Sequence, residues 1–147
     1  MTARNYAQHR CPIAQSLSIV GDQWTLLIIR DALNGKRRFG EFLDSLGLSR
    51  NLLTNRLAEM VEMGLLERVA LPGTQREGYA PTAKCRDLQR TLLSLAAWGD
   101  RWLPAPEGRR VVTRERGSGR PVSLRFCRDD DGIAIDDRAL EVIRHSR

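Results

Sequence analysis

Residues Phe39 to Thr82 read FGEFLDSLGLSRNLLTNRLAEMVEMGLLERVALPGTQREGYAPT, and the order of patterns inside this stretch decides the fold. Phe39, Phe42, Leu43 and Leu46 recur at helical spacing, which predicts a short helix broken at Gly47. Ser49 is a good N-cap for a helix over Arg50 to Met63, whose apolar stripe is Leu53, Leu57, Met60 and Val61. Gly64 suits the close of that helix. The pattern then changes: Leu65 to Leu71 alternates weakly, Pro72-Gly73 turns the chain, and Gly78 to Thr82 offers a second extended piece, so a small β-hairpin is expected. Two short helices joined through a Gly-containing turn, the second polar and Ser-capped, followed by a hairpin with basic residues, make a winged helix-turn-helix.

Upstream, Ile13, Leu17 and Val20 predict a helix over Pro12 to Val20, ended by Gly21, with Pro12 suited to its first position. Asp22 caps a second helix carrying Trp24, Leu27, Ile28 and Leu33, stopped by Asn34-Gly35. Lys36, Arg37 and Arg38 follow as a short basic loop. Downstream, Thr82 is expected to cap one long helix to about Leu103, with Leu88, Leu92, Leu95 and Trp102 along one face and Pro104 and Pro106 at its end. From Glu107 onward the pattern predicts short strands over Arg110 to Glu115, Val122 to Cys127 and Ile133 to Ile135, then a helical piece over Arg138 to Arg144. The expected fold class is mostly α with a small β-hairpin wing (α+β), a winged helix-turn-helix with a short β-rich C-terminal extension. Residues 1–106 would form the DNA-binding and dimerisation domain, and residues 107–147 an appended hairpin or meander.

Length and composition agree with one globular domain. At 147 residues the chain can bury roughly 70% of its unfolded surface, so no disulfide framework is needed. Three cysteines, Cys11, Cys85 and Cys127, lack CxxC spacing and leave an odd thiol, which argues for reduced cysteines. No apolar run approaches the roughly 18 to 20 residues of a membrane span, and MTARNYAQHRCP has no apolar core of a secretory signal, so no membrane partner and a cytoplasmic location are expected. A formal charge of +6 favours polyanionic partners without proving one. Twenty-two of the 24 basic residues are Arg, which a genomic bias explains as readily as function.

The polar side of the Arg50 helix carries Asn51 and Asn55 with Thr54 beside them and Arg50 and Arg56 flanking, while Glu59 and Glu62 occur only in its later turns. Asn can pair bidentately with adenine and Arg with guanine, so the N-terminal half fits a groove lined by phosphates. The same polarity would also suit any amphipathic surface helix, and the hairpin shifts the balance: Arg68 and Arg76 bracket its turn, placing Arg76 where a wing tip reaches DNA. Arg38, Ser49, Arg50, Asn51, Thr54, Asn55, Arg56 and Arg76 form the candidate set for double-stranded operator DNA.

The run CPIAQSLSIVGDQWTLLIIRDALNGKRRFGEFLDSLGLSRNLLTNRLAEMVEMGLLERV, with GYAPT and LSLAAWG after it, resembles the HxlR-type winged-helix transcription regulators of bacteria, over roughly Cys11 to Leu103. The resemblance implies a homodimeric DNA-binding regulator, with base reading on Arg50, Asn51, Thr54 and Asn55 and the wing role on Arg76. Two departures stand out: Pro81 replaces the usual Leu and Cys85 a frequent Gly. Dimerisation is expected on Ile13, Leu17, Leu88, Leu92, Leu95, Trp98 and Trp102, more apolar surface than one small wing domain covers.

Cys11 lies next to Pro12 at a helix mouth, with His9 and Arg10 beside it, where unpaired N–H groups favour a thiolate; a small packed hydrophobe fits the position equally well. Several relatives sense oxidants or electrophiles with a cysteine at this place, which tilts the reading of Cys11 to a sensor of an oxidant effector; the function expected overall is a homodimeric repressor on operator DNA. Two alternatives stay open: a regulator sensing a small aromatic ligand near Trp98 and Trp102, and a protein-interaction module without DNA binding. An enzyme is not expected, since no nucleophile and base can be assembled from two His, and there is no P-loop, GxGxxG or GxSxG. No cofactor and no metal are expected: the Asp129 to Gly132 run places Arg138 where a calcium loop needs Glu.

Overall fold

The computed structural model of the chain describes residues 8, 10–103, 105–108 and 110–143. The reading of His9 beside Cys11, of Pro104 as a helix stop and of Arg144 as the end of a helix therefore lies outside the described residues. The chain divides into two compact units, Met1–Leu92 and Leu93–Arg147.

The first unit contains α1 (Pro12–Val20), α2 (Gln23–Leu33), α3 (Phe39–Leu46), α4 (Arg50–Glu62), β1 (Leu66–Ala70), β2 (Glu77–Pro81) and α5 (Ala83–Asp87). Asp22 caps α2 with one carboxylate oxygen, accepting from the Trp24 and Thr25 backbone N–H groups at 2.9 and 3.1 Å, and its other oxygen takes the Thr25 hydroxyl. Ser49 caps α4 by accepting from Leu52 N–H at 3.3 Å. Ile28, Ile29 and Ala32 of α2, Phe42 of α3, and Leu53, Leu57 and Met60 of α4 are fully buried and form the centre of the core, which Leu65 and Leu66 extend toward the sheet.

β1 and β2 pair antiparallel, Leu66 opposite Pro81 and Ala70 opposite Glu77. The loop before α3 lies along this sheet: Tyr79 N–H donates to the Arg37 carbonyl at 2.8 Å. Gly78 makes that approach possible, because a Cβ there would stand 2.5 Å from the same carbonyl oxygen. Pro81 and Cys85, the two departures from the family pattern, are both buried at the junction of β2 with α5. The Thr82 hydroxyl fixes that junction by donating to the Gly64 carbonyl at 2.6 Å and accepting from Cys85 N–H at 3.3 Å.

The single long helix expected after Thr82 is interrupted. α5 ends at Asp87, Leu88 N–H bonds back three residues to the Cys85 carbonyl in a tightened turn, and a new helix, α6 (Gln89–Trp102), follows. Leu88 and Leu92, on either side of the break, pack on the core of the first unit, whereas Leu95, Trp98 and Trp102 further along α6 are exposed.

The second unit is sparer in β structure than its sequence suggests. Arg110 to Glu115 forms one bridge, Arg114 to Pro121, and the later strands shrink to β3 (Phe126–Cys127) and β4 (Ala134–Ile135). The helix expected from Arg138 is a single 3-10 turn, Asp137–Ala139, capped by Asp136. None of its described residues is buried, so little apolar packing stabilises longer ladders here. Arg110 closes the end of α6, donating to the Gly99 and Leu103 carbonyls at 3.2 and 2.8 Å while pairing with Asp100 at 3.1 Å.

Replacing Gly78 by Ala forces the Arg37 segment off the sheet. The expected cost is about 1 to 3 kcal/mol of stability, the range for overpacking a tight contact, measured as a shift of the urea midpoint; an unchanged midpoint would show that the approach is soft.

Candidate nucleic-acid interface

α4 is polar outside because its inside is fully committed. With Leu53, Leu57 and Met60 buried, the 3.6-residue period turns Asn51 and Asn55 to the opposite side with Thr54 at their flank, while Arg50 stands at the first position of the helix; all four are exposed. The Arg50 guanidinium lies over the Phe39 ring, 5.9 Å from its centroid, a contact that orients the cation at the start of the helix. The Thr54 hydroxyl donates to the Arg50 carbonyl at 2.8 Å, leaving its oxygen and methyl group for a partner. Asn51 and Asn55 present both amide donors and carbonyl acceptors, the set that pairs bidentately with an adenine edge.

The remaining candidates divide into open and occupied groups. Arg56 is half-buried, with one guanidinium nitrogen 2.9 Å from the Glu59 carboxylate and 3.7 Å from that of Asp22, so it ties α4 to the cap of α2. The Ser49 side chain is exposed and spends its oxygen on the α4 cap. Arg38 is exposed at the start of α3; its backbone N–H and that of Arg37 both donate to the Glu41 carboxylate at 2.8 Å. Those two bonds hold the Glu41 carboxyl below its ordinary range. Arg76 stands exposed beside the wing turn, where Thr74 accepts from its N–H at 3.2 Å, and among the described residues it has no ion pair. Arg68 is occupied, 3.7 Å from Glu77 and over the Tyr79 ring.

One residue that shapes the surroundings of the site escaped the sequence reading. Asp31, near the end of α2, is buried, with Arg30 at 2.9 Å and Lys36 at 3.3 Å on its two oxygens. Lys36 also donates to the Ser45 hydroxyl of α3 at 2.9 Å, so Asp31 holds the basic loop between two helices. Burial pushes its carboxyl up, but the Ser45 hydroxyl and the Arg30 and Lys36 charges outweigh that and leave it lowered. The available signal was a charge among the apolar residues of LIIRDAL, a position a 3.6 period turns inward.

Cys11 is the N-cap of α1, half-buried, with extended backbone and its carbonyl accepting from Gln15 N–H at 3.0 Å. Cys85 is fully buried, and that burial pushes its thiol up to about 11, which removes its thiolate at neutral pH. Cys127 is exposed on β3. Of the apolar residues expected at a dimer contact, Ile13, Leu17, Leu95, Trp98 and Trp102 are exposed, Ile13 at 71%, while Leu88 and Leu92 are half-buried against their own core. Among the described residues no cluster of three metal-ligating side chains occurs, and no helix is long and apolar enough to cross a membrane.

Helices α2, α3 and α4 followed by the β1-β2 hairpin make a winged helix-turn-helix. The chain belongs to the HxlR-like helix-turn-helix family, whose model matches residues 19–107. It is 41% identical over 127 residues to the uncharacterized HTH-type transcriptional regulator Rv3095 of Mycobacterium tuberculosis, covering 86% of this chain and 80% of that one. It is 33% identical over 95 residues to the HTH-type transcriptional regulator YodB of Bacillus subtilis, covering 63% of this chain and 85% of the relative. The solved structure of PA1607, a candidate transcription factor, superposes with a TM-score of 0.82 at 38% identity over 95% of this chain and 99% of that one. The family and these relatives make the protein a DNA-binding transcriptional regulator, a class distinct from enzymes.

Asp31→Asn removes the anion that holds Lys36. Because the folded carboxyl is lowered from 3.8, its stabilisation is complete above about pH 5 and is lost as the pH falls through the folded value. The variant should lose about 1.5 to 3 kcal/mol at pH 7, the range for a hydrogen bond to a charged group, with the gap to the parent closing in strong acid; thermal melts from neutral pH into strong acid check this.

Proposed function

We propose that the protein is a homodimeric repressor that reads a pseudo-palindromic operator with α4 and the wing, and that Cys11 makes it responsive to oxidants or electrophiles. The observation that carries the DNA-reading part is the exposed Arg50, Asn51, Thr54 and Asn55 face, held rigid by the buried stripe beneath it and accompanied by the open Arg76. The Ser49 side chain caps α4 at the edge of that face, Arg38 stands exposed at the start of α3, and Arg56 supports α4 from behind.

Dimerisation is supported by apolar side chains that their own chain leaves uncovered: Ile13 and Leu17 on α1, and Leu95, Trp98 and Trp102 on α6. A two-fold dimer places two recognition helices on one DNA face, with half-sites about one helical turn, roughly 10 base pairs, apart. The redox part is supported by the N-cap position of Cys11, where the first N–H groups of α1 favour an anion. YodB, at 32% identity and a TM-score of 0.55, has been solved in its reduced form, and a further structure was determined after diamide treatment. The family-typical domain is read as residues 1–106, with 107–147 appended.

Operator fragments are obtained by selecting genomic DNA bound to the purified protein. Asn51→Ala or Asn55→Ala should then lose about 1 to 3 kcal/mol of discrimination between operator and random DNA, while Arg76→Ala weakens both evenly. Equal affinity of the parent for every sequence, or a monomer by sedimentation, overturns the reading.

For the sensing part, Cys11→Ser should keep operator binding and lose the response to diamide. Cys85 should alkylate slowest, as its raised pKa requires. A Cys11→Ser protein that still responds as the parent does would return Cys11 to a packing role and move the signal to a ligand at Trp98 and Trp102.

A further inference from the structure

The second unit carries its charge in two blocks. Residues 110–128 hold six arginines and a single acid, Glu115, whereas residues 129–141 hold six acids and one arginine, Arg138. Neutralisation within the unit is selective. Arg110 pairs with Asp100 at 3.1 Å, Arg128 with Asp131 at 3.1 Å and Arg138 with Asp136 at 2.7 Å. Arg114, Arg116, Arg120 and Arg125 have no ion pair among the described residues, and all four are exposed.

Three of these four sit on one ordered hairpin. Glu115 N–H donates to the Arg120 carbonyl at 2.8 Å, Val122 N–H to that of Thr113 at 2.9 Å, and Arg114 bridges Pro121. The turn Arg116 to Gly119 is closed by Gly119 N–H on the Glu115 carbonyl at 3.0 Å. Glu115, the one acid, is taken up locally, its carboxylate accepting from the Ser118 hydroxyl, whose oxygen in turn accepts from Arg120 N–H at 3.2 Å. The local acid is thus spent on shaping the turn and leaves the flanking guanidinium groups available. Like charges this close repel, and a chain with six carboxylates immediately downstream had partners at hand for them. An ordered tip that keeps cations unpaired and exposed matches a polyanion met from outside the chain.

We propose that the 113–122 hairpin, with Arg125 beside it, is a second DNA-contacting arm that grips phosphates without reading sequence. The proposal rests on the DNA-binding character of the family and adds an element lying beyond residue 107, where the family match ends. The arginines need only meet a regular row of phosphates, since a backbone contact positions a protein on duplex DNA and carries no base information. This arm would act on operator and random DNA alike.

The test measures binding of the intact chain to random-sequence and operator duplexes across a salt series. The variant carrying Arg114→Ala, Arg116→Ala, Arg120→Ala and Arg125→Ala should bind both duplexes about tenfold or more weakly near 0.1 M salt. The slope of log affinity on log salt should flatten by about 0.9 for each phosphate that is no longer neutralised. The four Arg→Lys changes should keep most of the parent slope, because a phosphate contact requires only charge. Arg128→Ala with Arg138→Ala, which removes cations already paired, should leave the slope unchanged. A quadruple Ala variant with the parent's slope overturns the proposal while leaving the α4 reading intact. So does a weakening that Lys fails to restore, or an equal weakening per charge in the Arg128 and Arg138 control. A parent chain that binds neither duplex overturns both readings. Melting temperatures of all variants separate these outcomes from misfolding.

Discussion

The burial of Leu53, Leu57 and Met60 is the constraint on which the rest depends. Each is worth roughly 1.5 to 3 kcal/mol when removed from water, and together they leave α4 one rotational setting about its axis. That setting, rather than any polar contact, turns Asn51 and Asn55 outward as a rigid pair. Ile28, Ile29 and Ala32 of α2 and Phe42 of α3 complete the same cluster, so α4 is supported from two sides.

Two aspartates at opposite ends of α2 extend this apolar anchoring with polar clasps. Asp22 caps its own helix and faces Arg56 of α4, so capping and helix attachment share one carboxylate. Asp31 does the corresponding work at the other end, where it holds Lys36 next to Ser45. The basic loop is therefore pinned at Lys36 by charge, at Arg37 by the sheet hydrogen bond from Tyr79, and at Arg38 by Glu41. Lys36 and Arg37 are half-buried and only Arg38 is exposed, so the pinned loop holds its last cation in a fixed place at the start of α3.

The arginines differ in what their surroundings leave them to do. Arg56, Arg68 and Arg110 are occupied by carboxylates or rings of their own chain, while Arg76 and the hairpin arginines have no ion pair among the described residues. The cysteines separate in the same manner: burial silences Cys85, whereas Cys11 holds a helix mouth and Cys127 an open strand. Composition alone, with its heavy preference for Arg, could not make either distinction.

Local rules were enough for the elements whose signals are local. Asp22 and Ser49 as caps, the bounds of the first three helices, and the Pro72-Gly73 wing turn follow from side chains acting on their own backbone within a few residues, and the Leu53 periodicity reveals the outer face of α4 directly. The tertiary structure decided what depends on distant partners. It broke the expected long helix at Leu88, and it packed Leu88 and Leu92 on a core while leaving Leu95 exposed. It reduced the C-terminal strands to short pairs because no buried layer backs them. It moved Arg56 from an open cation to a brace on Asp22, 34 positions earlier in the chain, and it buried Asp31 among cations. Such pairings join groups far apart in sequence, and hydrophobic period and capping chemistry, which act over a turn or two, carry no information about them.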